Sequence, residues 1–225
     1  MIYNLKPAVD TEETGPVYPH IDEYIVNEGD LDTVKLLQSL SNEIPPPTDI
    51  RLPIFIIRDS NIKLCDFLSS FRLSQNGLVI SKRARTVLEL FNLNNVKHYP
   101  IKIDFNGRII EDYYYMHVYS HKSNCILLEK SSFFLATLTK RRIQNIGVLN
   151  SYSELRSQIE FAKKNLKLIR SDKLILDKTC IGESDLFRIG DVDWDICISE
   201  RLASALINYN LTGLDIAPKE NVFME

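Results

Sequence analysis

The chain has 225 residues, 44% of them hydrophobic and 25% charged, with a formal net charge of −3. This is enough for one sizeable core or two small ones, and it excludes collagenous, coiled-coil and wholly disordered classes. The longest apolar run, residues 52–57, is far short of the roughly 20 residues of a membrane-crossing helix, so no membrane is an expected partner.

Residues 7–34 hold eight acids and no Lys or Arg, a charge of −8 that leaves +5 for the rest. Pro7, Pro16, Pro19, Gly15 and Gly29 break up this stretch. Residues 1–30 therefore read as an acidic extended arm, with a short strand at 23–26. The beginning has no basic-then-apolar stretch of a secretion signal. A helix follows, capped by Asp30 or Asp32 and striped by Val34, Leu36, Leu37 and Leu40. It stops before Pro45-Pro46-Pro47.

Residues 52–58 and 77–80 read as strands. Ser81 then opens a helix whose Ala84, Val87, Leu88 and Phe91 share one face. Residues 96–105 and 108–119 form a hairpin about Asn106-Gly107, residues that tolerate the positive φ of a type I′ turn. Further strands are read at 133–139, 166–176, 186–189 and 195–198. Helices are read at 151–165, with Ser153 able to cap, and after Ser199. The fold class is α+β, helices on mixed or antiparallel sheets. The division expected is the arm, a first lobe over 31–130 and a second over 131–225, or one pseudo-symmetric domain.

An internal repeat fits either two related lobes or one pseudo-symmetric domain. Residues 77–100 align without gaps on 195–218, with seven identities in 24 positions: Ile80, Ser81, Arg83, Leu88, Asn92, Leu93 and Pro100 face Ile198, Ser199, Arg201, Leu206, Asn210, Leu211 and Pro218. Unrelated segments would share roughly one or two. Upstream, Phe71-Arg72-Leu73 matches Phe187-Arg188-Ile189 if two residues are inserted. In each copy a Ser caps a helix and an Arg lies in its first turn. There the helix dipole opposes a cation, so Arg83 and Arg201 imply a nearby acid, a bound anion or a bridge to their own sheets.

Motifs of chemistry are few. There is no G-x-G-x-x-G, P-loop or H-E-x-x-H, and Ser184 lies in an incomplete nucleophile elbow that reads as a turn. His117, His121 and Cys125 are spaced by four in strand material, which separates them, so no metal and no cofactor are expected. Four scattered cysteines, Cys65, Cys125, Cys180 and Cys197, read as buried free thiols of a cytoplasmic chain.

Candidate contacts are instead macromolecular. Alternation places Tyr113, Tyr115, His117 and Tyr119 on one strand face, either an aromatic surface of the kind enriched at protein interfaces or a half-buried sheet face covered by the chain's own arm. Asp191, Asp193 and Asp195 surround Trp194, the only Trp, on a hairpin tip: an acidic hook with an apolar anchor, or a solvated turn. Asp22, Glu23, Asp30 and Asp32 make the arm a surface for a basic partner, or a cover for the chain's own cations. Residues 140–178 carry ten cations against four acids, which leaves nucleic-acid binding open.

The motifs Asp185-Leu186-Phe187-Arg188, Ser199-Glu200-Arg201-Leu202 and Leu211-Thr212-Gly213 with closing Pro218 resemble the tail of a bacterial family. That family, first catalogued as a domain of unknown function, is grouped with the immunity proteins of polymorphic-toxin loci. The match covers about 50 residues well and the first half loosely, through the repeat. The resemblance implies a non-enzymatic cytoplasmic antidote in interbacterial competition, of the type VI secretion kind. It would bind one cognate toxin and block it. Alternatives are a nucleic-acid-binding regulator using 140–178, or an enzyme that reverses a toxin's modification.

Overall fold

The computed structural model describes residues 1–16, 18–25, 45, 50–70, 72–73, 76–119, 121–190 and 192–225. Among these it places 14 strands and four helices in three sheets, an α+β fold. The first sheet runs β11 (Leu186–Gly190), β12 (Asp193–Ser199), β1 (Ile2–Pro7), β13 (Leu214–Pro218). The second runs β2 (Glu23–Ile25), β3 (Ile54–Ile57), β6 (Val96–Phe105), β7 (Arg108–Val118), β5 (Gly77–Ser81), β4 (Phe67–Leu68). The third runs β14 (Val222–Met224), β10 (Lys167–Leu176), β8 (Ser132–Thr137), β9 (Arg142–Gly147). The helices are α1 (Lys82–Leu88), α2 (Tyr152–Lys164), α3 (Lys178–Ile181) and α4 (Glu200–Asn208).

Local chemistry accounts for the boundaries. Asn106 and Gly107 take φ of 53° and 82° and close the β6–β7 hairpin. Ser81 caps α1 by accepting from the Ala84 amide at 3.0 Å, and Ser199 caps α4 by accepting from Leu202 at 3.1 Å. The cap of α2 is Ser151 and not Ser153. Its hydroxyl accepts from the Glu154 amide at 3.2 Å while the Glu154 carboxylate accepts from the Asn150 amide at 2.9 Å, a near relative of the reciprocal capping box.

The repeat is real in space, with a permutation that the alignment could not show. Ile80 pairs with Phe67, and its counterpart Ile198 pairs with Leu186. The upstream match is therefore Asp66-Phe67-Leu68 with Asp185-Leu186-Phe187, which corrects the assignment of 71–73 to 187–189. Downstream, β6 corresponds to β13. In the first copy the strand between β5 and β6 is β7, where Tyr114 lies opposite both Ile80 and Pro100. In the second copy that place is taken by β1, where Tyr3 lies opposite both Ile198 and Pro218. The start of the chain thus completes a unit whose other strands lie near its end. Ala84, Val87 and Leu88 of α1 and Leu202, Ala203 and Leu206 of α4 are buried in one shared core with Leu5, Ile80, Met116 and Ile198.

Three sequence expectations change. Residues 2–7 are a central strand and not part of an arm, because Ile2 and Leu5, on opposite faces of it, fill two different cores. The lobe boundaries fail with it, since one sheet joins residues 2–7 to 186–218. The cysteines are not all free. Cys125 and Cys180 form a disulfide across 55 residues, while Cys65 and Cys197 are buried thiols. Because disulfides persist in oxidising compartments, the cysteines no longer argue for the cytoplasm. The helix read over 34–40, with its caps Asp30 and Asp32, lies outside the described residues.

Candidate functional site

The residues singled out by the repeat form a reciprocal clasp. Asp66 and Asp185, each buried, stand just before β4 and β11. Ser81 donates to Asp66 at 2.5 Å and Ser199 to Asp185 at 2.6 Å. Arg83 donates to Asp66 at 2.9 Å, and Arg201 pairs with Asp185 through both Nε and Nη2. The nearby acid is therefore the answer to the misplaced first-turn cations. Each carboxylate also accepts an amide from the other copy: Thr212 to Asp66 and Asn92 to Asp185, both at 3.0 Å. Arg83 reaches on to the Tyr209 and Asn210 carbonyls at the end of α4, where a cation complements the dipole. Arg201 lies 5.5 Å over the Phe91 ring, the counterpart of Tyr209.

Gly213, at φ 73°, lets this joint close. A Cβ there would fall 2.3 Å from the Cys65 sulfur and 2.5 Å from the Phe67 carbonyl. The family-like motif residues are thus clasp and core residues.

Beside the shared core, at the strand ends remote from the two helix starts, a groove of about 410 Å³ opens. Leu5, Pro7, Leu78 and Ile196 floor it, and Tyr18, Trp194 and Asp215 stand along it. Trp194 sits on a strand whose neighbouring positions are pinned by ion pairs. Its neighbours Asp193 and Asp195 project from the opposite face of β12, as alternation requires. Both meet the ammonium of Lys219, Asp195 at 3.2 Å, and Lys6 lies 3.4 Å from Asp195. Burial pushes the Asp195 carboxyl up, but Lys219 and Lys6 outweigh it and leave its pKa below the ordinary value. Burial pushes Lys219 down, and Asp193 and Asp195 outweigh that in turn. The clamp is saturated with its own counter-charges, and Trp194 remains 42% exposed on the far side.

The other candidates divide sharply. Tyr113 and Tyr115 are buried in the core with Ile21, Phe55 and Ile103, and Tyr113 donates to the Cys65 carbonyl at 2.8 Å. They are not a contact face. The second core lies on the other side of β7, around Met116 and Val118, so residues 113–118 of the strand are covered on both faces. Tyr119, just beyond it, is half-buried. Asp193 is a buried ion-pair partner, not an exposed hook. Asp191, Asp30 and Asp32 lie outside the described residues.

Asp22 is exposed, and Glu23 pairs with Arg58 at 2.6 Å. The described part of the segment around them is tied to residues 58–72 and 213. Gly213 donates to Glu13 at 3.0 Å, Lys63 to the Glu12 carbonyl at 2.6 Å, and Ile21 to the Ser69 carbonyl at 3.0 Å.

Sequence reading missed Lys219, Tyr18 and the flooring residues. No motif marks them, and they come together with Trp194 only where β1, β5, β12 and the end of β13 meet in the fold. Ser184 is buried and donates to the Leu186 carbonyl at 2.9 Å, a turn as read. Burial pushes the Cys65 thiol up to about 11, against any role as a nucleophile at neutral pH. Among the described residues no group of three His, Cys, Asp or Glu could hold a metal ion. No helix of the described residues is long and apolar enough to cross a membrane. No protein-family model and no curated protein matches the chain.

Proposed function

We propose that this chain is an immunity protein that neutralises a cognate antibacterial toxin by stoichiometric occlusion, with the groove at the repeat junction as the contact site. The observation that carries the reading is Trp194: a half-exposed indole on a strand locked by a buried Lys219 clamp, beside an apolar floor. Binding loses less when its anchor is already ordered, and Trp is the residue most enriched at interface hot spots. Exposed Asp215 on the groove and Asp10 just outside it favour a basic partner. The carboxylates nearest the groove floor are tied to lysines, which suits recognition better than proton transfer.

The test is co-expression with the product of an adjacent toxin gene, followed by affinity measurement. Protection and a one-to-one complex are expected, and Trp194→Ala should weaken it by about 2 kcal/mol or more, roughly 30-fold. No protection and no complex at micromolar concentration ends the reading. A complex indifferent to Trp194→Ala moves the contact away from the groove.

A further inference from the structure

We infer that one end of the third sheet is a docking tip for an anionic membrane surface, separate from the groove. The last pair between β8 and β10 joins Thr137 to Lys167. Leu138 and Leu166 each stand one residue beyond it, so the β8–β9 turn and the α2–β10 turn emerge together. Leu138 is 60% exposed and Leu166 75%, and Phe161 in the last turn of α2 is 52% exposed. Lys140, Arg141, Lys163, Lys164 and Lys167 surround them. Residues 137–143 and 161–167 contain no Asp or Glu. Arg142, the remaining cation of the turn, is committed to Asp172 and lies 4.2 Å over the Phe134 ring.

Backbone conformation makes Leu166 informative. Its φ is +52°, in the left-handed region that Gly or Asn occupies at little cost. A leucine held there and turned out to water is disfavoured twice, by strain and by exposure, so an observed outlier of this kind points toward use. Lysines around exposed leucines and a phenylalanine do not match a protein interface, where Lys is depleted and Leu is rarely a hot spot. They match an interfacial membrane contact: apolar side chains enter the headgroup boundary while the lysine ammoniums stay among anionic headgroups. The lengths of apolar runs argued only against crossing a bilayer, and this tip would lie on one.

The test is flotation of the full chain with vesicles of phosphatidylcholine alone or with roughly one third phosphatidylglycerol. Binding is expected only to the anionic vesicles, and it should fall with salt. Each cation near the surface contributes about fivefold, so Lys163→Glu with Lys164→Glu should lower partitioning by more than tenfold. Leu166→Gly relieves the positive φ, so it should leave the thermal midpoint unchanged or raised while reducing partitioning, and Leu138→Gly should reduce it as well. No flotation with anionic vesicles at low salt overturns the proposal. So does flotation that responds to the lysines and ignores both leucines, or retention on duplex DNA in place of vesicles.

Discussion

The two repeat copies use one clasp and build it differently. In the first, β5, α1, β6 and β7 follow one another in the chain. In the second, β12, α4 and β13 wait for β1 from nearly 200 residues away. Arg83 divides itself between Asp66 and the end of α4, whereas Arg201 gives Nε and Nη2 to Asp185. What survives duplication is the buried carboxylate, the capping serine and the helix stripe. Strand connectivity does not, because a strand's ladder and its buried residues are the same whichever end of the chain supplies them.

The largest test of this comparison is removal of residues 1–7. It should abolish the cooperative thermal transition, since β1 is central to its sheet and buries Ile2 and Leu5. A synthetic peptide of residues 1–8 added in trans should restore it. A truncated chain that melts like the parent would remove β1 from the second copy.

Next are the carboxylates. Asp66→Ala and Asp185→Ala each strand a serine hydroxyl and one backbone amide of the other copy, at a cost of about 3 kcal/mol by urea unfolding. Because each acid holds an amide of the other copy, the double variant should depart from the sum of the singles. Strict additivity would mean the copies are clasped elsewhere.

Smaller again, Ser81→Ala and Ser199→Ala should cost about 1–2 kcal/mol each and nearly the same amount. A large inequality would show that the caps are not equivalent.

The finest distinction is in pH. Burial pushes the Asp185 carboxyl up, but Arg201, Ser199 and the Asn92 amide overcome it and hold it below the ordinary carboxylate value. That stabilisation is complete above the unfolded value, about 3.9, and is lost as pH falls through the lowered one. The stability gap between the parent and Asp185→Asn should therefore be constant near neutrality and shrink below about pH 4. A gap that persists to lower pH would assign the effect to shape and not to charge.

Much of this was readable residue by residue. Strong alternation fixed β6 in full, the Asn106-Gly107 turn fixed its hairpin, and the two serine-capped helices of the repeat began where their side chains said. β9 escaped because Arg142–Gly147 is an edge strand with almost no apolar pattern. β1 escaped because a six-residue strand next to a proline-rich acidic stretch is overshadowed by its surroundings. Within the candidate site, Trp194 was legible as an isolated apolar anchor. For Tyr113 and Tyr115 the sequence left a contact face and a covered face both open, because period-two alternation separates two faces without saying whether both are covered.

From its residues alone the chain settled an α+β class, a duplicated helix unit, and the serines and arginines that mark it. Local rules suffice there: a cap needs its side chain within three residues, and a stripe needs only the helical period. Folding in three dimensions decided that Asp66 and Asp185 complete the clasp, that β1 stands in for β7, that Cys125 meets Cys180, and that Lys219 locks the strand bearing Trp194. Those partners lie from 14 to about 200 residues apart. Contacts at such separations leave no period in a sequence, because they depend on which surfaces pack and not on how the chain is spaced.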